Sequence, residues 1–421
     1  MNISSTLRLD NASLIYPASL SKKYASLYRM SVTLSEPVDT DILQKALDAT
    51  VKRIPTMGYT LTNGAFWWHL VKMDASPKVL PYSHLHKFSI KGNGGFLFKL
   101  SANDCRIVLD IFHVLTDGGG AMTMLLTLTA EYLRLRYGVK VCYGGRILDP
   151  ADTPYPSETA DAFDMFSGKK GALEQNDPAY HVPGRVESNP TLHDMRIRMP
   201  LDQVSKAARK YDATVTELLT AAMLDALQEV RRTESPRRSK SILKVSVPVD
   251  LRRIFGSCTL RNFSSYVNLG VDVRNGNSPF AELVRIVSGQ KRLFSMASEL
   301  EPKVAKNVEL EDNFAISCLP RFIKKPIIDI INKIKGDRYC THTLSNIGLI
   351  SLPVEMQPYV RDIDFMLGRQ RGNSGASACV GYNGTLFLNM SRRIAENHFE
   401  NLFLERMRIL GVKAQAEERQ V

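Results

Sequence analysis

The run Phe112-His113-Val114-Leu115-Thr116-Asp117-Gly118-Gly119-Gly120 constrains this chain more than any other, because it sets a histidine and a carboxylate between a strand and a helix. Upstream, Cys105, Ile107, Leu109, Ile111 and His113 share one face of an alternating segment, and Arg106, Val108, Asp110 and Phe112 share the other. Residues 96–100 predict a second strand, with the turn-forming Ser101-Ala102-Asn103-Asp104 between the two. Downstream, Met122, Leu125, Leu126, Thr129 and Leu133 recur at helical spacing. Arg134 and Arg136 suit the last turn, and Gly138 suits the position past the end. A sheet therefore delivers His113 and a helix carries the chain away.

A histidine closing an apolar row is desolvated on that side, which favours the neutral imidazole and suits a general base near neutral pH. Three glycines remove side chains at the bend, so backbone N–H groups and a substrate can come close around Gly118 and Gly119. Asp117 is expected to hold the turn through a buried salt bridge or a helix cap. Spacing alone leaves two readings open, since a lone histidine on an apolar face is commonly a satisfied core residue and Asp-Gly is a turn signal.

At 421 residues the chain exceeds what one hydrophobic core normally serves, so two halves are expected: 1–142, a crossover over 143–190, and 191–421. The composition, 44% apolar and 23% charged, is that of a globular protein. No apolar run approaches the roughly 18 residues that span a bilayer, and the first 19 residues lack a basic start and an apolar core. A cytoplasmic location without a membrane span is the expectation. The cysteines at 105, 142, 258, 318, 340 and 379 form no Cys-x-x-Cys pair and read as reduced thiols. A net charge of +12 admits an anionic partner. The densest basic stretch, 231–240, has no aromatic interleaving, so it reads as a solvated loop and no nucleic-acid partner is expected.

Asp39 or Thr40 can cap a helix with Leu43, Ala46, Leu47 and Val51 on its buried face, stopped by Pro55. A short helix is expected near 159–166 inside the crossover. Thr214 and Glu217 have capping-box spacing before a helix bearing Leu219, Met223, Ala226 and Val230. Strands are expected at 242–249, 262–273, 362–367, 377–382 and 385–391, the last two joined by Asn383-Gly384. Helices are expected at 280–296, 395–410 and, interrupted at Pro326, 320–334, with a frayed tail at 417–421. Gly118-Gly119-Gly120-Ala121-Met122-Thr123 lacks the third glycine of a dinucleotide site. Gly-x-Ser-x-Gly and Gly-x-x-x-x-Gly-Lys are absent. His84 and His86 lack nearby carboxylates or cysteines and read as a surface pair, so no metal site is expected. Trp67, Trp68 and His69 read as a strand with a buried ring.

His-x-x-x-Asp-Gly after a strand and before an apolar helix resembles the signature of the CoA-dependent acyltransferases of the chloramphenicol acetyltransferase-like fold, which include alcohol O-acyltransferases and condensation domains. The likeness extends to residues 28–34, 39–51 and Arg53, then to 212–222, to Pro248-Val249-Asp250-Leu251-Arg252-Arg253 with Arg261-Asn262-Phe263, and to Ser345-Asn346-Ile347-Gly348. Two departures stand out. Phe112 occupies the place of the first of two adjacent histidines in many members, and the late Asp-Phe-Gly-Trp-Gly motif of the plant branch is absent.

The resemblance implies an α/β protein of two chloramphenicol acetyltransferase-like subdomains, mixed sheets flanked by helices, with an active-site tunnel at their interface. It implies acyl transfer, acetyl included, from acyl-CoA as co-substrate, with no permanently bound cofactor, to a small-molecule alcohol or amine, with His113 as general base. Asp117 is expected to pair with Arg53, or else Arg29. Oxyanion donors are sought at Gly118, Gly119, Ser345 and Asn346, and contacts to the anionic end of CoA at Arg252, Arg253 and Arg261. An acyl-carrier protein as donor, as in a condensation-like module, and a non-catalytic binding module are the alternatives.

Overall fold

The structure is a computed structural model. It describes residues 4–20, 26–172, 176–187, 192–233, 240–312, 320, 323, 337–370 and 372–421. A five-stranded sheet runs in the order β12 (Val360–Leu367), β2 (Leu27–Leu34), β7 (Arg106–Phe112), β6 (Phe98–Asn103), β5 (Val79–Pro81). A seven-stranded sheet runs β10 (Ser264–Asp272), β9 (Ile242–Asp250), β11 (His342–Ile350), β13 (Gly375–Tyr382), β14 (Thr385–Arg392), β8 (His193–Pro200), β15 (Gln415–Gln420). The third sheet is β1 (Thr6–Arg8), β4 (Trp68–Lys72), β3 (Tyr59–Asn63). Both larger sheets are mixed: β5 runs parallel to β6, and β11 parallel to both β9 and β13.

Each large sheet carries its own core. In the first, Met30, Val32, Ile107, Leu109 and Ile111 pack beneath the helices Thr40–Arg53 and Gly118–Tyr137. Asp39 caps the former by accepting from Asp41 and Ile42 N–H. The latter is buried at every position from Gly120 to Leu133, as expected of a helix apolar on nearly all sides. The second core gathers Val245, Val267, Leu269 and Leu388 with the helices Val215–Arg232, Phe280–Phe294 and His398–Ile409. Thr214 and Glu217 close the capping box around the first of these helices.

The halves do not divide cleanly along the chain. Strand β12 comes from the later half but pairs along most of β2, so Ile363 and Phe365 lie in the first core. The crossover is tied to the first half by Glu158, whose carboxylate accepts both terminal nitrogens of Arg53 at 2.6 and 2.8 Å.

Two expectations are corrected, and one helix lies where none is expected. The tail is β15, antiparallel to β8, with Arg419 bonded to the fully buried Asp194 and the Val421 N–H donating to Leu192 O. The hairpin strand β6 begins two residues later than expected and continues through Ser101 to Asn103, so the turn falls at Asp104 and Cys105. A helix at Ala297–Asp312, with Pro302 in its early part, follows the one at Phe280–Phe294. The expected helix at 320–334 and the centre of the basic stretch, 234–239, lie outside the described residues, apart from 320 and 323. Asn383 and Gly384 have φ of 45° and 71°, the left-handed pair a two-residue hairpin of this type requires. No helix among the described residues is long and apolar enough to cross a membrane.

Candidate active site

His113 sits one residue beyond β7, where the chain turns. Its N–H donates to Ser26 O, and Leu115 N–H closes back on Phe112 O. The ring stacks on Tyr16, centroids 4.7 Å apart, and meets Tyr28 edge-on at 5.1 Å. His113 is half-buried, whereas Phe112 is fully enclosed in the first core. The position of the first motif histidine therefore faces hydrocarbon, and phenylalanine there satisfies packing without touching the site. Phe112→His is expected to cost about 1–3 kcal/mol, as an unpaired polar group buried in the core does. Chemical denaturation is the measurement, and an unchanged midpoint contradicts the placement.

The Nδ1 of His113 lies 3.1 Å from Asn262 Oδ1. Asn262 turns its Nδ2 to Asp10 Oδ2 at 3.2 Å and to Val114 O at 3.4 Å. Nε2 has no partner among the described residues. Burial holds the imidazole pKa below its ordinary 6.5, although its own carbonyl, Asp117, Asn262 and Asp10 pull the other way. The ring is neutral at pH 7 and can accept a proton.

Asp117 caps the helix Gly118–Tyr137 and receives five hydrogen bonds. Its Oδ1 accepts Gly119 N–H, Gly120 N–H and Arg252 Nη2, and its Oδ2 accepts Arg252 Nη1 at 2.9 Å and Phe263 N–H at 2.9 Å. Burial alone raises a carboxyl pKa. Arg252 and the backbone donors outweigh it, so Asp117 stays ionised. Gly120 is required for a close approach: a Cβ there lies 2.2 Å from Leu260 O and 2.2 Å from Thr116 Oγ1. The loop at 260 thus presses directly on the helix start and brings Arg261, Asn262 and Phe263 against the motif.

The partner of Asp117 is Arg252, not Arg53 or Arg29. Arg53 is held by Glu158, and Arg29 by Asp110 on the neighbouring strand, with Nε to Oδ1 at 2.6 Å. Arg252 and Arg261 are likewise not offered to a solvent-borne anion. Arg252 spends its nitrogens on Asp117, Asp250, Thr259 O and Arg261 O. Arg261 is buried against Asp10 at 3.6 Å and Arg8 O. Arg253 is exposed.

The N–H of Gly119 is taken by Asp117, leaving Gly118 N–H as the glycine donor without a partner among the described residues. Asn346 donates to Thr216 Oγ1 and accepts from Gly348 N–H, so its amide braces the irregular part of β11 against a helix start. Ser345 is half-buried and precedes by two residues Ile347, whose Cδ1 abuts Gly118. The register of β11 shifts between Asn346 and Leu349, beside that contact. Asp10, Tyr16 and Asn262 were not singled out from the sequence. Their only signal was Asn262's place beside Phe263 in the motif-like loop.

Two cavities lie apart from this cluster: one of about 70 Å³ lined by Arg29, Tyr82, Arg106, Asp364 and Arg419, and one of about 490 Å³ lined by Arg209, Glu217, Lys291 and Arg292. His84 is exposed and stacks on His86 at 5.7 Å. No group of three or more metal-ligand side chains occurs among the described residues.

The cluster joins the two halves: His113 and Asp117 come from the first, and Arg252, Asn262 and Ile347 from the second. No family model matches the sequence, and no curated protein matches it. Solved structures do match the fold. The first condensation domain of the calcium-dependent antibiotic synthetase, in complex with a substrate analogue, superposes with a TM-score of 0.64 at 15% identity, over 97% of this chain and 96% of that one. TRI101 of F. sporotrichioides, complexed with coenzyme A and T-2, gives 0.63 at 10% identity over 96% and 97%. Polyketide synthase associated protein 5 from Mycobacterium tuberculosis gives 0.62 at 15% identity over 94% and 96%. The chain thus has the two-subdomain α/β fold of the acetyltransferases and condensation domains, the superfamily its sequence resembles.

Proposed function

We propose that the protein is an acyltransferase that moves an acyl group, acetyl included, from a CoA thioester to a small alcohol or amine, with His113 as general base. The observation that carries this reading is the half-buried imidazole at the junction of the halves. Its Nδ1 is engaged, its Nε2 is open, and its pKa is held below 6.5. Nε2 takes the acceptor proton as that oxygen or nitrogen attacks the thioester carbonyl. The resulting oxyanion is met by Gly118 N–H and the Ser345 hydroxyl. Collapse expels the thiolate, which takes the proton back from the imidazolium, so no acyl-enzyme forms. The two substrates reach the ring through a tunnel between the halves. Asp117 and Arg252 hold the helix start and the loop at 260 in place, and Arg253 is the exposed cation for the anionic end of CoA.

A carrier-bound donor is the second reading. It is favoured by the condensation domain that matches over 97% of the chain. The test supplies acyl-CoA, or an acyl group on a carrier protein, with a panel of alcohols and amines, and follows free thiol. Acceptor-dependent release from acyl-CoA supports the first reading, and release from the carrier alone supports the second. Ligand binding without release from either donor overturns acyl transfer and leaves a binding module.

The low histidine pKa sets the pH profile. The base is active when deprotonated, so kcat/KM rises with pH through an acidic limb centred below 6.5 and is flat across neutrality. A limb centred above 6.5 contradicts the assignment.

A further inference from the structure

We propose that Asp10 and Asn262 form a positioning chain that fixes the tautomer of His113, keeping the proton on Nδ1 and the lone pair on Nε2. The inference rests on the acyltransferase reading and adds to it a pair of residues that never touch substrate.

The chain follows from which groups can only accept. The Asn262 amide has two ends of opposite character, and its surroundings allow one orientation. Its Nδ2 faces a carboxylate oxygen of Asp10 at 3.2 Å and the carbonyl of Val114 at 3.4 Å, both acceptors. Reversing the amide sets Oδ1 against two acceptors and leaves both without a donor. Oδ1 must therefore face His113 Nδ1, 3.1 Å away, and only an N–H can be bonded there. An acceptor at Nδ1 leaves Nε2 as the basic nitrogen.

Asp10 makes that orientation binding. It is fully buried, its Oδ1 accepts Ser13 N–H at 2.9 Å, and Arg261 stands 3.6 Å from its Oδ2. Arg261 is itself buried and bonded to Arg8 O, so the counter-charge is fixed rather than shared with solvent. Burial raises the Asp10 carboxyl pKa, and Arg261, Asn262 and Ser13 pull against that rise. In its ionised form Asp10 can only accept, which excludes the reversed amide. Its charge, relayed through the amide dipole, also favours the imidazolium formed as His113 takes the acceptor proton. Around the ring stand Asp117, Asp10, Asn262, Tyr16 and Tyr28, and Asp117 is committed to Arg252. Among the described residues Asn262 is the one side chain bonded to Nδ1.

The test uses the full chain with ¹⁵N-labelled histidine, whose ring nitrogens have distinct shifts with and without a proton. The wild type is expected to show His113 protonated at Nδ1 and bare at Nε2 near neutral pH. The opposite pattern in the wild type overturns the chain outright, whatever any variant does. Asn262→Ala and Asp10→Asn are expected to populate the Nε2–H form and lower kcat about 10–100-fold with KM little changed. That is less than the roughly 10⁴-fold of a triad with its tautomer inverted, because losing the acceptor removes the bias toward Nδ1–H without imposing the other form.

The reciprocal exchange, Asp10→Asn with Asn262→Asp, restores donor and acceptor along the chain and sets a carboxylate directly on Nδ1. Activity is expected to recover, with the acidic limb of kcat/KM moved up by about one pH unit. A purely structural pair gives recovery without that shift, which overturns the proposal. So does a wild-type tautomer in both single variants. His113→Ala separates the two claims: if it is inactive while the single variants keep tautomer and rate, acyl transfer stands and the chain falls. If His113→Ala keeps full activity, the acyltransferase reading itself falls.

Discussion

His113→Ala is expected to lower kcat/KM about 10²–10⁴-fold, the usual contribution of a positioned general base, while leaving the protein folded. The ring is half-buried at the edge of the first core, and its loss removes stacking on Tyr16, the edge contact with Tyr28 and the bond to Asn262 Oδ1, but no ion pair among the described residues. Backbone geometry at the turn is set elsewhere, by His113 N–H on Ser26 O and by the Asp117 cap, and neither depends on the imidazole. The decline should therefore appear in kcat with the KM for the donor close to wild type, while the unpaired Asn262 Oδ1 costs about 1–3 kcal/mol of stability and leaves the protein folded. Steady-state kinetics beside a melting curve checks this. Retention of activity within a factor of a few removes His113 from the chemistry.

The second large effect is on stability. Asp117 and Arg252 lie 135 residues apart in sequence and form a buried ion pair between the two halves. Asp117→Ala removes the helix cap, the acceptor for Phe263 N–H and the main counter-charge of Arg252 in one step. Breaking a buried pair from one side typically costs about 3–5 kcal/mol, and Asp117→Ala belongs at the upper end of that range. Arg252→Ala leaves Asp117 its three backbone donors and should cost less. It is also expected to reduce kcat, by loosening the loop that carries Asn262, with the KM for acyl-CoA little changed. Denaturant titration and kinetics on the same variants decide it. A selective rise in KM with full stability returns Arg252 to the donor-binding role that its place in a basic loop suggested.

These two residues mark what could be read from the chain and what could not. The strand before His113, the helix after Gly118, the Asp39 cap, the Thr214–Glu217 box and the Asn383-Gly384 hairpin rest on contacts within a few residues, so periodicity and capping chemistry expose them. Partners joined through the fold leave no such trace. Nothing near Arg53 announces Glu158, and nothing near His113 announces Asn262, 149 residues on. Arg252 carried a local hint, since Asp250 two residues earlier holds the same guanidinium, yet that spacing is also common in solvated loops. Strand β15 hid for another reason. Gln-Ala-Glu-Glu-Arg-Gln has no apolar alternation, because backbone pairing with β8 and the Arg419–Asp194 contact hold it in place of hydrophobic burial. The exchange of β12 into the first sheet is likewise a matter of topology, invisible to composition.

The most direct test of the central claim is a structure of the protein with a non-hydrolysable acyl-CoA analogue and an acceptor. The account predicts that the acceptor oxygen or nitrogen lies within hydrogen-bond reach of His113 Nε2 and about 3–3.5 Å from the acyl carbon, with Gly118 N–H directed at the carbonyl oxygen. An analogue bound away from His113, or a ring that no ligand atom can approach, contradicts it.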